Sequence, residues 1–548
     1  MTGESISRSY IADLEDRLRE AKEQLNGIKR TQLTGQFFND CFPMESQEAE
    51  VNEEHNDVVP PRSFAEDCLQ TYFNQLNVQL PIIHRDYYLN KYFTPIYGFV
   101  GSSLWTKILG YEVDDPHEKL EPAQVDENTR YRGFFFLYMI ISILTSVNQN
   151  TLSVSDHYKR KAFKHVNSVW GPSKNENDDE ITRLEMLQSL LLWSQYSMMR
   201  PGTPDAWYLI GISIRFCIEL GLHIEPERVS MTGDLPFVTE LKRRLFWSCY
   251  CLDKQASICY NRPFGIWDLQ IDVKLPSLLD DLSLMPKSMK TITNIRGNPA
   301  LKKNSLHFIK LRIIQSDILN FINDKQHQVR VSDQNEDGDV LESARLSDSP
   351  QTTNEKLTMY DEWKLSKQRL LDDWYNLVVD IDSIHVMNLN YHQTLLYIYR
   401  ISPITPVIIN KSHYMILYES SKQIISIYTA LGHYSWAAIK DIQLAATDYL
   451  YLIQNCAELQ HSISAEEIKS QCDLVFLLLA SLRNDYPKQV QQAEQEVKSY
   501  TSKLLKLYEL NKSKTSNLNN PIFSYPTAAV SQSPPSLMDS TCFPFIIQ

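Results

Sequence analysis

Apolar residues recur three and four positions apart over most of this 548-residue chain. That is the period of a helix, not the alternation of a half-buried strand, and it predicts an all-α fold. The pattern also divides the chain. Residues 1–31 hold a short tail and one heptad-patterned helix. Residues 32–62 are polar and acidic, with Glu45, Glu48, Glu50, Glu53, Glu54 and Asp57, and end at Pro60-Pro61, which reads as a solvated linker. A multi-helical body follows over 63–330, then an acidic stretch without apolar period at 331–356, expected to be an exposed, disordered loop. Helices of the same body resume over 357–510, and the Ser-, Asn- and Pro-rich residues 511–548 read as a disordered tail. Within the body the pattern places helices between Tyr131 and Val169, over Leu187–Tyr196 and Trp207–Leu222, and over Tyr360–Tyr399, Tyr414–Leu431, Trp436–Cys456, Ala465–Leu482 and Val490–Leu510. Ser63 is the expected N-cap of the first helix, with Glu66 as its capping-box partner. Gly221 suits the left-handed cap that ends the helix before it.

In residues 9–31, Ile11, Leu14, Leu18, Ala21, Leu25 and Ile28 alternate spacings of three and four and make an a/d seam. The seam predicts a coiled-coil dimerisation helix and hence a homodimer. Two features oppose it: Ala21 thins the middle, and in a parallel pair Arg17 at g would face Lys22 at e. A single amphipathic helix packed on the body is the other reading of the same residues.

The stretch Glu240–Pro276 is the densest in chemistry. It opens as a helix in which Leu245, Cys249, Leu252, Asp253 and Ala256 share one face, and closes as extended chain beyond Asn261-Arg262-Pro263. A carboxylate on that apolar face must be paired or hydrogen-bonded, and Arg262 and Arg215 are the candidate partners of Asp253. The expected role is an ion pair holding a loop against a helix. A general acid or base is the alternative, because perturbed carboxylates cluster at active sites. Cys249, Cys251 and Cys259 do not converge on a metal, since residues two apart on a helix point to opposite sides. His84 has no companion at ligand spacing and reads as a core or capping histidine.

Composition narrows the functions. With 43% apolar and 11% aromatic residues the chain supports a sizeable core, and its length predicts more than one packed region. Glycines number only 16, and there is no Walker loop, G-x-S-x-G elbow, H-E-x-x-H or dinucleotide fingerprint, so no enzyme is expected. A net charge of −13 argues against the body as a nucleic-acid surface. Lys159-Arg160-Lys161 and Lys242-Arg243-Arg244 accordingly read as solvated helix faces. The nine cysteines lack framework spacing and fit free thiols in a reducing compartment. The run Phe134–Val147 is too short to span a bilayer and reads as a buried core helix, and no membrane partner is expected.

Taken in order, Arg243, Arg244, Phe246, Trp247, Tyr250, Asp253, Ser257, Arg262, Pro263, Ile266, Asp268, Ile271, Asp272, Leu275 and Pro276 resemble a known pattern. It is the middle homology region of the fungal-specific transcription factors, the regulatory domain that follows a binuclear, six-cysteine zinc cluster. Lys254 stands where Arg is usual and Asn261 where Gly is usual. Asn tolerates positive φ better than other non-glycine residues, so the turn survives. Upstream, Gln188, Leu190, Leu191, Leu192, Trp207, Gly211, Arg215, Leu220, Gly221, Leu222 and His223 match the same region, and Leu80-Pro81-Ile82-Ile83-His84 resembles its opening. Ser9, Tyr10, Leu14, Glu15, Arg17 and Leu18 resemble the start of the family's coiled coil. The resemblance covers about residues 63–280 and that helix.

What the resemblance implies is a nuclear regulator of RNA polymerase II transcription. Arg215, Gly221, His223, Arg244, Phe246, Trp247, Asp253, Arg262, Pro263, Asp268 and Asp272 would be its structural motif residues. The zinc-cluster motif is not among them: only Met1–Arg8 precede the heptad helix, and they hold no cysteine. Two explanations stand, a true start upstream or a member that has lost direct DNA binding. No cofactor is expected within this chain, and zinc only with a cluster outside it. DNA would be reached through such a missing N-terminal domain or through a partner. A non-DNA-binding protein that restrains other zinc-cluster factors is the alternative. Coactivators meeting Phe523, Tyr525, Phe543 and Phe545 of the tail, and a small-molecule effector in the helical body, complete the expected partners.

Overall fold

Two prolines begin the folded body. Pro61, at φ −52°, sets the angle at which α1 (Arg62–Thr71) starts, and its carbonyl accepts the Ala65 N–H at 3.0 Å. The expected Ser63 cap is not used. The helix starts two residues earlier than that cap would set, with Pro61 at the N-cap; Ser63 is exposed, and Glu66 pairs with Arg62 at 2.8 Å instead. Pro61 takes the cap position itself, with its φ fixed by its ring, and no side chain caps the helix.

The computed structural model describes residues 59–98, 104, 108, 126–146, 151–171, 180–200, 206–225, 235–260, 262–286, 300–334, 350–377, 384–400, 411–431, 436–484 and 486–515. The heptad helix with Ile11, Leu14, Leu18, Ala21, Leu25 and Ile28, most of the acidic linker, Asn261, and the tail beyond Thr515 lie outside the described residues.

α1 continues through a π-helical turn (Tyr72–Leu76). After it come α2 (Arg85–Tyr88), a second π turn (Leu89–Phe93) and α3 (Thr94–Tyr97). His84 is a capping histidine: its Nδ1 accepts the Tyr87 N–H at 3.3 Å while the ring packs edge-on to Phe237. α4 (Glu127–Thr145) is buried without a break from Gly133 to Ile143, the condition for a helix that is apolar all round. α5 (Leu152–Lys164) and α6 (Asn167–Trp170) pack on it. α7 (Glu180–Met199), α8 (Ala206–Glu219) and α9 (Leu235–Tyr260) complete the first core. α8 ends as its sequence requires. Gly221 sits at φ 68°, its N–H reaches Ile218 O at 2.9 Å, and the Leu222 N–H reaches Cys217 O at 3.0 Å, the paired bonds of a Schellman cap.

α10 (Ala300–Gln334) crosses between two cores, giving Ile309 to the first and Phe308, Leu311, Ile318 and Ile322 to the second. The second core is built by α11 (Pro350–Asn376), α12 (Ile384–Tyr399), α13 (Lys411–Leu431) and α14 (Ala437–Asn455), with α15 (Ala457–Ser462), α16 (Ala465–Ser481) and α17 (Pro487–Thr515). Other described residues also join the cores. Ile258 of α9 lies in the second core, and the Trp436 indole donates to Met198 O at 2.9 Å. The fold is all-α, with no strand among the described residues, and no described helix is long and apolar enough to cross a membrane.

Two boundaries differ from the sequence reading. The acidic 331–356 stretch is helical at both described ends, through Gln334 and from Pro350, and the expected single run Tyr360–Tyr399 is two helices that break after Asn376. An apolar period detects a buried face; a helix whose face is solvated continues on local propensity alone and leaves no such signal.

Candidate functional site

α9 carries most of the sequence-predicted residues, and it is buried on every side from Arg244 to Cys259. The expected single apolar face is thus only part of the contact. α7 and α8 cover the helix on one side, and α10 and the returning segment 262–286 also pack on it. Lys242-Arg243-Arg244 is consequently not a solvated face. Lys242 pairs with Glu180, Arg243 with Glu225, and Arg244 is 2% exposed. Periodicity assigns charged residues to solvent by default and cannot see a helix whose polar side is covered by partners.

Asp253 illustrates the rule for buried charge. Its two carboxylate oxygens each accept the Gly265 N–H at 3.0 Å, and the Ile266 N–H assists. Neither expected guanidinium pairs with it among the described residues. Arg215 donates to Gly211 O at 2.9 Å, and Arg262 lies over the Trp207 ring at 5.4 Å. Burial pushes the Asp253 carboxyl up to about 6, against the pull of Lys254 and the two backbone donors. Gly265 makes this closeness achievable: a Cβ there would stand 2.8 Å from Asp253 Oδ1 and 2.9 Å from Ile214 Cγ2. The turn is closed by Arg262 N–H to Ser257 O at 2.8 Å and by the Ser257 hydroxyl to Pro263 O at 3.1 Å.

Asp268 is the second node. It accepts from the Tyr250 hydroxyl at 3.0 Å and from the Ser316 hydroxyl at 2.6 Å, and pairs with Lys254 Nζ at 3.3 Å. It thereby ties the extended segment to α9 and α10. Lys254 is fully buried, donates to Ile266 O at 2.8 Å and lies over the Phe264 ring at 4.0 Å. Burial lowers its pKa, opposed by Asp268 and Asp253. The segment is also held through main-chain atoms. Trp247 Nε1 donates to Lys274 O at 2.9 Å, and His223 O accepts the Asp272 and Val273 N–H groups at 2.9 and 3.2 Å. His223 and Asp272 therefore meet by backbone, not side chain. Phe246 is fully buried, with Trp247 edge-on to it.

Of the third node, sequence reasoning singled out only Arg244 and none of the carboxylates it meets. Arg244 donates to Glu240 at 3.1 Å and to Asp281 at 2.5 Å; the other Asp281 oxygen takes the Arg85 N–H at 2.9 Å. The Arg85 guanidinium in turn holds Asp86 at 2.8 Å and Asp280 at 3.1 Å, and Glu240 also caps the Ser277 N–H at 3.0 Å. Burial alone would lower the pKa of Arg244 and Arg85, but the surrounding carboxylates raise both. Burial raises Asp86 to about 6 despite Arg85 beside it. Nearby, Glu185 takes Lys91 at 2.8 Å, Arg132 at 2.6 Å and the Tyr92 hydroxyl at 2.5 Å; burial opposes its ionisation, and the two cations outweigh it. Glu185, a charge within the continuously buried stretch 184–199, carried a local signal. Arg85 and Asp281 are 196 residues apart and show none.

The cysteines are plain core residues. Cys249 and Cys251 are buried thiols whose pKa burial raises, to about 12 for Cys251. Among the described residues no three His, Cys, Asp or Glu side chains are grouped to hold a metal ion. The geometry defines the class: a helical domain whose returning segment is bolted to a central buried helix by hydrogen-bonded charges. The sequence profile of the fungal specific transcription factor domain matches residues 69–376, more than half of the chain, and the chain belongs to that family. It is 28% identical over 455 residues to pyrimidine pathway regulatory protein 1 of Saccharomyces cerevisiae, covering 72% of this chain and 46% of that protein. It is 24% identical over 519 residues to the positive regulator of purine utilization of Emericella nidulans, covering 79% of this chain and 45% of that protein. A 32% identity over 155 residues links it to a transcriptional regulatory protein of Schizosaccharomyces pombe, covering 28% of this chain and 24% of that protein. The chain thus spans a little under half the length of the first two. No solved structure matches it.

Proposed function

We propose that this chain is the regulatory portion of a nuclear transcription factor that acts on RNA polymerase II genes, and that it is not an enzyme. The observation that carries the reading is the family match over residues 69–376, which includes the whole Asp253–Asp268–Arg244 framework. In this reading the motif residues are structural. Arg244, Asp253 and Asp268 brace the domain, while Phe246 and Trp247 pack it. Gly221, Pro263, His223 and Asp272 shape the turns and main-chain contacts, and Arg215 and Arg262 act at the surface. Residues 9–31 supply self-association, and DNA is read by a zinc cluster supplied from outside this chain. The names of two relatives support control of nucleobase-pathway genes as the specific role.

The test is a fusion of the full chain to a heterologous DNA-binding domain over a reporter in a fungal host. Reporter output should rise or fall at least severalfold relative to the DNA-binding domain alone. Unchanged output across growth with purines, pyrimidines or ammonium as nitrogen source would contradict the reading. Leu18→Asp should shift the sedimentation of the full chain toward monomer; unchanged sedimentation removes the dimer helix. The second reading, a restrainer of other zinc-cluster factors, is favoured by the net charge of −13, which disfavours DNA contact by the body itself. It predicts that the chain depletes a family member from DNA when co-expressed.

A further inference from the structure

One basic patch belongs to none of the three nodes. On α5, His157, Arg160, Lys161 and Lys164 are spaced at three, four and seven residues and share one helical face, with Arg160 and Lys164 exposed. Lys161 Nζ lies over the Tyr138 ring of α4 at 5.7 Å, and the exposed Arg130 of α4 lies over Phe134 at 5.6 Å. α4 and α5 run antiparallel: the Ser155 hydroxyl donates to Ser142 O at 2.7 Å, and His165 packs against Phe134 and Tyr138. Arg130 therefore comes to the C-terminal end of the α5 face. Among the described residues Arg130, Arg160 and Lys164 make no ion pair. The nearby carboxylates are engaged elsewhere, Asp156 with Arg200 and Tyr196, and Glu127 with the Tyr131 hydroxyl.

The chain enters the body beside this face. The Tyr97 hydroxyl donates to Pro60 O at 2.9 Å and is within electrostatic reach of Tyr138 and Tyr158, while Phe64 stacks on Tyr158 at 6.2 Å. Just upstream, residues 45–57 carry Glu45, Glu48, Glu50, Glu53, Glu54 and Asp57 and no Lys or Arg. Glu50, Glu53, Glu54 and Asp57 repeat the spacing of the basic face. From Pro60 back to Asp57 is at most about 10 Å of chain, and residues 45–57 can reach about 40 Å. The basic face of α5 is only about 10 Å long.

We propose that the acidic segment 45–57 docks, within one chain, on the basic face of α5 and the adjoining end of α4. The charges are complementary, and tethering holds the segment at a high effective concentration beside its site. Nucleic acid is the poorer occupant, because the patch is small and sits on a chain of net charge −13. Each exposed ion pair contributes little, so the contact depends on several acting together. Docking leaves residues 32–44 as the tether between the helix patterned at 9–31 and the body, and release lengthens that tether. The contact goes beyond the transcriptional reading and does not depend on it.

The test is zero-length carbodiimide cross-linking of the full chain, mixed with isotope-labelled chain and read by mass spectrometry. Lys161 or Lys164 should be joined to a carboxylate of residues 45–57 within one chain. Screening shortens from about 10 Å at about 0.1 M salt to about 3 Å at about 1 M, so the yield should fall at least about threefold between them. Arg130→Gln/Arg160→Gln removes two exposed charges and leaves both lysine amines reactive. It should fold, with thermal unfolding unchanged, and should lower the yield at least about twofold. Absence of these links, links formed mainly between labelled and unlabelled copies, or a yield indifferent to both salt and the folded double variant would each overturn the proposal. Links abolished by an added DNA duplex at physiological salt would assign the face to nucleic acid and overturn it too.

Discussion

The first core and the second each bury arginines, and they treat them in opposite ways. In the first, Arg244 meets Glu240 and Asp281, Asp281 also meets Arg85, and Arg85 meets Asp86 and Asp280. In the second, the Arg400 guanidinium pairs with one carboxylate, that of Asp448 at 3.1 Å, and among the described residues makes no other ion pair. Taking a charge out of water costs several kcal/mol, and only good geometry with further hydrogen bonds offsets it. The first network meets that condition and joins segments far apart in sequence, so it works as a brace. The second falls short of it, so the pair contributes little to stability.

The largest effect belongs to the brace. Arg244→Met strands Glu240 and Asp281 as buried carboxylates and should destabilise the chain by about 3–5 kcal/mol in denaturant unfolding. A loss under 1 kcal/mol would mean the network is not what holds residues 277–281 in place. Next comes the turn below it. Gly265→Ala drives a methyl group into Asp253 and Ile214, and overpacking of this kind costs about 1–3 kcal/mol. The smallest effect is a pH dependence. Asp253 has its folded pKa raised to about 6 from an ordinary 3.8, so between those values the folded state holds a proton that the unfolded state has lost. Stability therefore falls as pH rises from about 4 to about 6, and the cost persists above that. Asp253→Asn should remove its share of this slope, about 1–2 kcal/mol across the window, leaving the share of Asp86, which titrates in the same range. A slope unchanged in the variant would place the titration elsewhere.

The helices of both cores were legible because their apolar period reports a buried face. α4 was readable as a core helix and Gly221 as a cap from residue types alone. The motif in α9 and its tail was legible as an ordered string of residues, but its wiring was not. Asp253 was expected to meet Arg262 or Arg215, yet backbone N–H groups took the place, because Gly265 lets the main chain approach where no side chain needs to reach. The Arg85–Asp281–Arg244 node was illegible for a different reason. Its members are separated by up to 196 residues, and a single charged residue beside an apolar run looks like a solvated one. Arg400 and Asp448 left no sequence signal at all, being isolated charges at helical positions with nothing nearby to single them out.

The contrast between a brace and a poorly satisfied pair is tested most directly by thermal unfolding of Arg400→Met/Asp448→Leu beside wild type and Arg244→Met. The double variant should match wild type or exceed it by up to about 4 kcal/mol, since apolar replacement of a poorly satisfied buried pair is neutral to stabilising, while Arg244→Met falls well below. A double variant destabilised as much as Arg244→Met would show that Arg400 and Asp448 are a second brace, and the distinction between the two cores would be gone.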